Sequence, residues 1–233
     1  MLDANTASQE AERRFEQLIY HISHDLRASV RALKELPVWI EEDLEDSDLA
    51  LPDSVREYMS LMGRHSERLD QFLIDLLTYS RVGRLQSFET VDLSRALDSA
   101  LAKVTLPSEF ELSRSFDQPT VFAGTQDIET LFVALLSNSI KHRSEESGRI
   151  SVKSALHGGT MVIDFTDDGP GIAPEHRAVA LKFMTTLKPR DEVEGSGLGL
   201  PIVQRICRFY GGSVTIGDGP DGMGCNIRIL LPT

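Results

Sequence analysis

Cysteine is scarce in this sequence of 233 residues, which contains only Cys207 and Cys225. Two cysteines cannot build a disulfide framework or a four-cysteine metal site, and they favour a reducing, cytoplasmic location. Long apolar runs are lacking too: no stretch approaches the roughly 18–20 residues of a membrane span, and the first residues are too polar for a secretion signal. We therefore expect no membrane segment. Positive charge is also in short supply, and the net charge of −12 argues against nucleic-acid binding.

The sequence pattern of the first part of the chain, residues 1–84, predicts two long helices. Its apolar residues recur at steps of three and four, as they do along one face of a helix. An acidic stretch at 41–48 separates the two patterns, and Pro52 suits the first turn of the second helix. We expect an antiparallel helical hairpin. Because two helices alone leave much of their apolar stripe exposed, a homodimer in the form of a four-helix bundle is predicted.

The second part, residues 85–233, mixes helical patterns with short β-rich runs. Turn sequences at 157–159 and 218–222 join strands without an intervening helix, so the predicted sheet is mixed and the fold class is α+β. Helices are predicted at Asp92–Val104, Gln126–His142, Pro174–Leu181 and Leu198–Tyr210. Strands are predicted at Phe110–Ser113, Thr120–Phe122, Ile150–Ala155, Met161–Thr166, Ser213–Ile216 and Asn226–Leu231.

His24 lies on the first predicted helix, roughly 200° around the axis from Ile22. If Ile22 faces the core of the predicted bundle, His24 faces water, where its imidazole can act as a nucleophile. Asp25 is adjacent and can accept the imidazole N–H, which would favour one tautomer. His21 fits the core nearly as badly, so the helical pattern does not choose between the two histidines.

Four short motifs in the second part carry chemistry suited to a nucleotide. Asn138 and Lys141 share a helix face, where an amide oxygen can complete a Mg²⁺ shell and a lysine can contact phosphate. Asp167 ends a strand and precedes glycines that let backbone approach a flat ring, an arrangement that suits an adenine amino group. A glycine-rich segment, 195–199, opens a helix whose N–H groups suit phosphate. The last motif, 222–225, precedes the closing strand.

The sequence Ser23-His24-Asp25-Leu26-Arg27 resembles the H-box of sensor histidine kinases, and the four motifs together resemble the N, G1, G2 and last glycine boxes of Bergerat-fold ATPases. The resemblance implies that His24 is phosphorylated from Mg²⁺-ATP with help from Asp25, and that the phosphoryl group passes to the receiver domain of a response regulator. It implies an α/β sandwich of the Bergerat type for 85–233. The nucleotide-binding residues that it implies are Asn138 (also the metal ligand), Lys141, His142, Asp167, Gly169, Gly171, Ile172, Gly195, Gly197, Leu198 and Gly199, with Lys188 and Arg190 on a lid.

The match departs from the family at several positions. Ala28 replaces the H-box threonine that supports dephosphorylation of the response regulator, and Ala134 replaces an earlier asparagine of the N box. Leu181 and Met184 stand where phenylalanines are usual. One alternative is a histidine phosphotransferase or docking scaffold whose ATP site is degenerate. A second alternative is a Bergerat ATPase or protein-serine kinase that leaves His24 unmodified.

Overall fold

The computed structural model describes residues 2–46, 51–84, 86–143, 147–187 and 195–232. The chain divides into two compact units, Met1–Ser80 and Arg81–Thr233. This division falls a few residues before the boundary predicted at residue 84. Within the described ranges, no helix has the length and apolar character needed to cross a membrane.

The first unit is a hairpin of two helices, α1 (Leu2–Asp46) and α2 (Asp53–Arg81). Apolar side chains from both helices are buried, including Val30 at 3% exposure and Leu73 at 2%. The Ser66 hydroxyl contacts the Leu33 carbonyl oxygen of the other helix at 3.5 Å. The two-helix arrangement predicted from the periodicity is confirmed.

A second apolar stripe of the hairpin is exposed in the single chain. Ile22 is 48% exposed in the single chain, whereas its neighbour Ser23 is fully buried, so the placement of Ile22 in the core of a dimeric bundle stays a prediction. The apolar positions of α1 are divided between an inner face and an outer one because they occupy more of the helix surface than one partner helix covers. The exposed members on α1 are Leu18, Ile22, Leu26, Leu33, Leu36 and Ile40.

The second unit contains a five-stranded mixed sheet. Its strands are β2 (Phe110–Phe116), β4 (Gly148–His157), β5 (Thr160–Asp167), β6 (Ser213–Asp218) and β7 (Cys225–Pro232), in the order β2-β4-β5-β7-β6. The β2–β4 pair is parallel and the other pairs are antiparallel. A separate antiparallel ribbon joins β1 (Phe88–Asp92) to β3 (Thr120–Gly124). The α+β class and mixed sheet are confirmed, although β1 was not predicted.

The helices of this unit are α3 (Leu93–Lys103), α4 (Thr125–Lys141), α5 (Pro174–Ala180) and α6 (Gly199–Phe209). Helix α4 is central to the core, because it packs against both α3 and α6. Alternate residues of β5 and β7 are buried, as expected for strands with one face on the core. Each fully buried leucine or phenylalanine stabilises such a core by about 1.5–3 kcal/mol. The packing therefore fixes the helix that carries Asn138 and Lys141.

Candidate functional site

The Asp167 carboxylate lies at the end of β5 and accepts three hydrogen bonds from different segments. Its Oδ2 accepts from the Ser139 hydroxyl at 2.8 Å. Its Oδ1 accepts from the backbone N–H groups of Gly169 at 3.0 Å and Cys225 at 3.2 Å. These donors fix the orientation of the carboxylate. The side chain is thereby presented as a hydrogen-bond acceptor, as the recognition of an amino group requires.

Close backbone packing surrounds this carboxylate. Gly171 and Gly224 have φ angles of +72° and +75°, in the left-handed region that glycine occupies without strain. A Cβ at Gly171 would lie 2.7 Å from the Gly224 carbonyl oxygen, and one at Gly224 would lie 1.9 Å from the Asp167 carbonyl oxygen. The glycines of the G1 box and the last glycine box therefore meet beside Asp167. The neighbouring Ile172 carbonyl accepts a hydrogen bond from Arg177 Nε at 2.9 Å.

Asn138 lies at the C-terminal end of α4, against the first residue of α6. A Cβ at Gly199 would lie 2.9 Å from Asn138 Oδ1 and 3.0 Å from Nδ2. Asn138 Nδ2 is buried and has no hydrogen-bond partner among the residues that the structure describes. Buried amide groups are normally satisfied, so an unsatisfied one marks a place where a ligand fits. Two further predicted residues, Lys141 and His142, are exposed at the same end of α4.

The glycine-rich segment before α6 forms a defined turn. Ser196 Oγ accepts a hydrogen bond from the Leu198 backbone N–H at 3.1 Å, and the Leu198 side chain is fully buried. Gly197 has a φ of +72°, and a Cβ there would lie 2.8 Å from the Thr185 carbonyl oxygen. Gly195 is exposed, and among the described residues no atom lies within 4 Å of a Cβ built there. The turn directs the N-terminus of α6, where unpaired N–H groups favour an anion, towards the Asn138 side chain.

A second acidic residue, Asp168, holds the loop after β5 in place and was not assigned from the sequence. Its Oδ1 accepts the Arg149 backbone N–H at 2.8 Å, and its carboxylate is paired with the side chains of Arg143 and Arg149. Burial alone would raise the pKa of Asp168, but the Arg149 N–H and the two guanidinium groups hold that pKa below its ordinary value. The doublet Asp167-Asp168 at a strand end was the available signal.

Ser139 was also missed, although it follows Asn138 directly. Its hydroxyl is nearly buried and joins α4 to β5 through Asp167. The lid residues Lys188 and Arg190 lie outside the described residues. Met184, in the altered phenylalanine box, adopts a φ of 59°, which is uncommon for a residue other than glycine.

The predicted phosphoacceptor His24 lies in the other unit, on α1. Its side chain is 69% exposed, and its Nδ1 lies 3.2 Å from Asp25 Oδ1. When Nδ1–H donates to a carboxylate, the lone pair of the neutral imidazole lies on Nε2. The His24 ring also stacks on Tyr20, at 6.3 Å between ring centroids, whereas His21 contacts the same tyrosine edge-on.

An open pocket of about 410 Å³ lies elsewhere on the second unit, on the outer face of the sheet. It is lined by residues such as Lys153, Asp164 and Arg228, and by none of the predicted nucleotide-binding residues. Asp164 and Arg228 pair with each other at 2.8 and 3.1 Å. Their mutual neutralisation makes this pocket a poor match for a phosphate group.

Comparisons with known proteins agree with these features. The family of histidine kinase-, DNA gyrase B- and HSP90-like ATPases matches residues 124–233. The sensor-like histidine kinase SenX3 of Mycolicibacterium smegmatis is 28% identical over 235 residues, which cover 97% of this chain and 59% of that protein. The chain spans less than two thirds of the length of such curated relatives.

Solved structures share the fold. Full-length ShkA in complex with AMPPNP matches with a TM-score of 0.68 and 23% identity, covering 93% of this chain and 45% of that chain. ThkA in complex with the response regulator protein TrrA matches with a TM-score of 0.64 and 18% identity, covering 97% and 66%. Residues 124–233 therefore match this ATPase family, and the chain along most of its length is similar to sensor histidine kinases and shares its fold with the solved structures.

Proposed function

We propose that this core transfers the γ-phosphoryl group of ATP to His24 and then passes it to an aspartate of a response regulator receiver domain. The observation that carries the proposal is the exposed His24 imidazole with Nδ1 held by Asp25. This arrangement gives Nε2 the lone pair that a nucleophile needs. It occurs in a chain whose other unit is an ATPase domain of the matching family.

The proposed nucleotide site lies around the C-terminal end of α4, between the end of β5 and the N-terminus of α6. Asp167 accepts a hydrogen bond from the adenine amino group beside Gly169 and Gly171. The phosphates are contacted by Lys141 and by the N-terminus of α6 with its preceding glycines, which are Gly195, Gly197 and Gly199. Asn138 would hold Mg²⁺, which would neutralise charge on the phosphates when bound. The position of the Asn138 amide beside the first residue of α6, where the glycine at 199 leaves it room, supports this assignment.

The transfer step is a displacement at phosphorus. The Nε2 lone pair of His24 forms the new N–P bond as the bond to the β-phosphate oxygen breaks, and ADP leaves with those electrons. The resulting imidazolium is stabilised by Asp25 at Nδ1, to which it can release its proton. Positioning and charge neutralisation supply most of the catalysis expected for such a reaction.

The partners follow from the same assignment. ThkA was solved with the response regulator TrrA, which supports a receiver domain as the acceptor here. The exposed apolar stripe of α1 supports a homodimer, since burying it against a second hairpin would remove it from water. Cytoplasmic ATP and the two free cysteines support a cytoplasmic site of action.

The test is phosphorylation of the full chain with γ-labelled ATP and Mg²⁺. We expect acid-labile, alkali-stable label that falls to background in His24→Gln and is kept in the matched control His21→Gln, which removes an exposed histidine from the same helix. Label that persists in His24→Gln, or label that is stable to acid, would contradict the proposal. Failure of the chain to bind ATP would instead favour the scaffold alternative.

A further inference from the structure

The hydrogen bond between Ser139 and Asp167 joins two elements at the place where the base is proposed to bind. Ser139 lies on α4, is 8% exposed, and could donate to a carbonyl of its own helix, as serines in helices often do. Instead, its hydroxyl donates to Asp167 Oδ2 at 2.8 Å. Since an ionised carboxylate can only accept, the direction of this bond is fixed.

This bond determines which hydrogen-bonding groups face a ligand. A carboxylate offers about four lone-pair positions, and three of those of Asp167 are used by Ser139, Gly169 and Cys225. The position that is left belongs to Oδ2. Because the Ser139 hydroxyl donates its only proton to Asp167, its oxygen can only accept further hydrogen bonds. The pair therefore presents acceptors only, which suit an amino group and repel a carbonyl oxygen.

We propose that Ser139 is a positioning residue for base recognition, whose hydroxyl holds Asp167 so that the carboxylate accepts from the exocyclic amino group of adenine and rejects a 6-carbonyl purine. This inference rests on the proposed nucleotide site. Ser139 neighbours Asn138 on α4, so one helix end positions the group that reads the base and the group proposed to hold the metal. Loss of the Ser139 hydroxyl makes the orientation of Asp167 less fixed, but it removes neither the Asp167 carboxylate nor the proposed metal ligand Asn138.

The binding of three nucleotides distinguishes a positioning role of Ser139 from a general structural role. They are ATP, GTP and purine riboside triphosphate, which lacks a substituent at C6. Affinities are measured by titration calorimetry on the full chain with Mg²⁺. For the wild type we expect ATP to bind at least about tenfold more tightly than either analogue, the scale of one hydrogen bond to a charged group. For Ser139→Ala we expect ATP to bind about tenfold more weakly, with the purine riboside nucleotide changed less than about twofold.

Two further variants complete the design. Ser139→Thr keeps the hydroxyl and should restore the preference for ATP. Ser154→Ala removes another buried serine of the same unit, which lies on β4 and donates its hydroxyl to the Gln118 carbonyl, and should leave all three affinities unchanged. It controls for the general effect of losing a buried hydrogen bond.

The outcomes are distinct. Equal weakening of ATP and the purine riboside nucleotide in Ser139→Ala would overturn the inference, because a merely structural role affects both ligands. Unchanged ATP binding in Ser139→Ala would overturn it as well and leave the proposed function standing. A wild type that binds no purine nucleotide would overturn both.

Discussion

Adding one methyl group at Gly199 should displace Asn138 without harming the fold. A Cβ built at Gly199 lies 2.9 Å from Asn138 Oδ1, whereas ordinary contacts begin at 3.4 Å, so the amide must retreat by 0.5 Å or more. The atoms that the new Cβ would approach belong to the terminal amide of the Asn138 side chain, which can rotate away. Gly199 also begins α6, and alanine is favoured over glycine in helices by up to about 1 kcal/mol. The melting temperature of Gly199→Ala should therefore not fall.

The affinity for nucleotide should fall mainly when the metal is present. Mispositioning a metal ligand weakens metal sites by about ten- to a hundredfold, so we expect a loss of this size for ATP with Mg²⁺. In excess chelator, the difference between wild type and Gly199→Ala should be much smaller, because the contacts to the base are unchanged and only the proposed contact of Gly199 with the phosphates is affected. The assay is titration calorimetry under the two conditions, with thermal melting of the same samples.

Gly63→Ala is the matched control. It also adds a methyl group to a helix, at a position on α2 where no atom of the described residues lies within 4 Å of the new Cβ and φ is not positive. Its affinity for Mg²⁺-ATP should match that of the wild type. If Gly199→Ala binds Mg²⁺-ATP normally, or loses affinity equally in chelator, Asn138 does not hold the metal and the reasoning is refuted.

Two further predictions concern Asp168 and the thiols. Because interactions in the folded state lower the pKa of Asp168, its carboxylate stabilises the fold above its unfolded pKa, and this contribution is lost as the pH falls through the folded value. Asp168→Asn should destabilise the protein by about 1 kcal/mol at pH 7 and by less at pH 3; in thermal melts, an equal difference at both pH values would refute this. Burial raises the pKa of Cys207 and of Cys225 to about 12, so neither thiol should react with a disulfide reagent at pH 8 until denaturant is added; rapid labelling of the native chain would contradict it.

The order of helices and strands could be read from the sequence largely because each long element has its own apolar period. The ribbon strand β1 could not, since three of its five residues are exposed and it pairs with β3 outside the main sheet. Which apolar residues of α1 face the second helix of the hairpin could not be read from the sequence either, for a related reason. A helical period shows that apolar residues share a side of α1, but it does not say which part of that side the partner helix covers.

The residues of the candidate site that belong to short sequence motifs could be predicted, whereas those whose role depends on tertiary contacts could not. Asn138 and Asp167 were chosen for their chemistry at the ends of a predicted helix and strand. The bond from Ser139 to Asp167 depends on how far α4 extends relative to β5, a distance that local pattern does not encode. The same is true of Asp168, whose partner Arg149 is brought near by the pairing of β4 with β5.

Helix α4 explains how a site made of loops and helix ends can be rigid. Its 17 residues span about 25 Å, and four of its side chains in the middle are fully buried. Near its first turn, Asp127 accepts hydrogen bonds from the Gly83 backbone N–H at 3.0 Å and from the Tyr210 hydroxyl at 2.7 Å. At the other end, Ser139 holds Asp167. Because both ends and the middle are fixed to different parts of the unit, Asn138 and Asp167 keep their positions through the core rather than through the loops that are proposed to border the nucleotide.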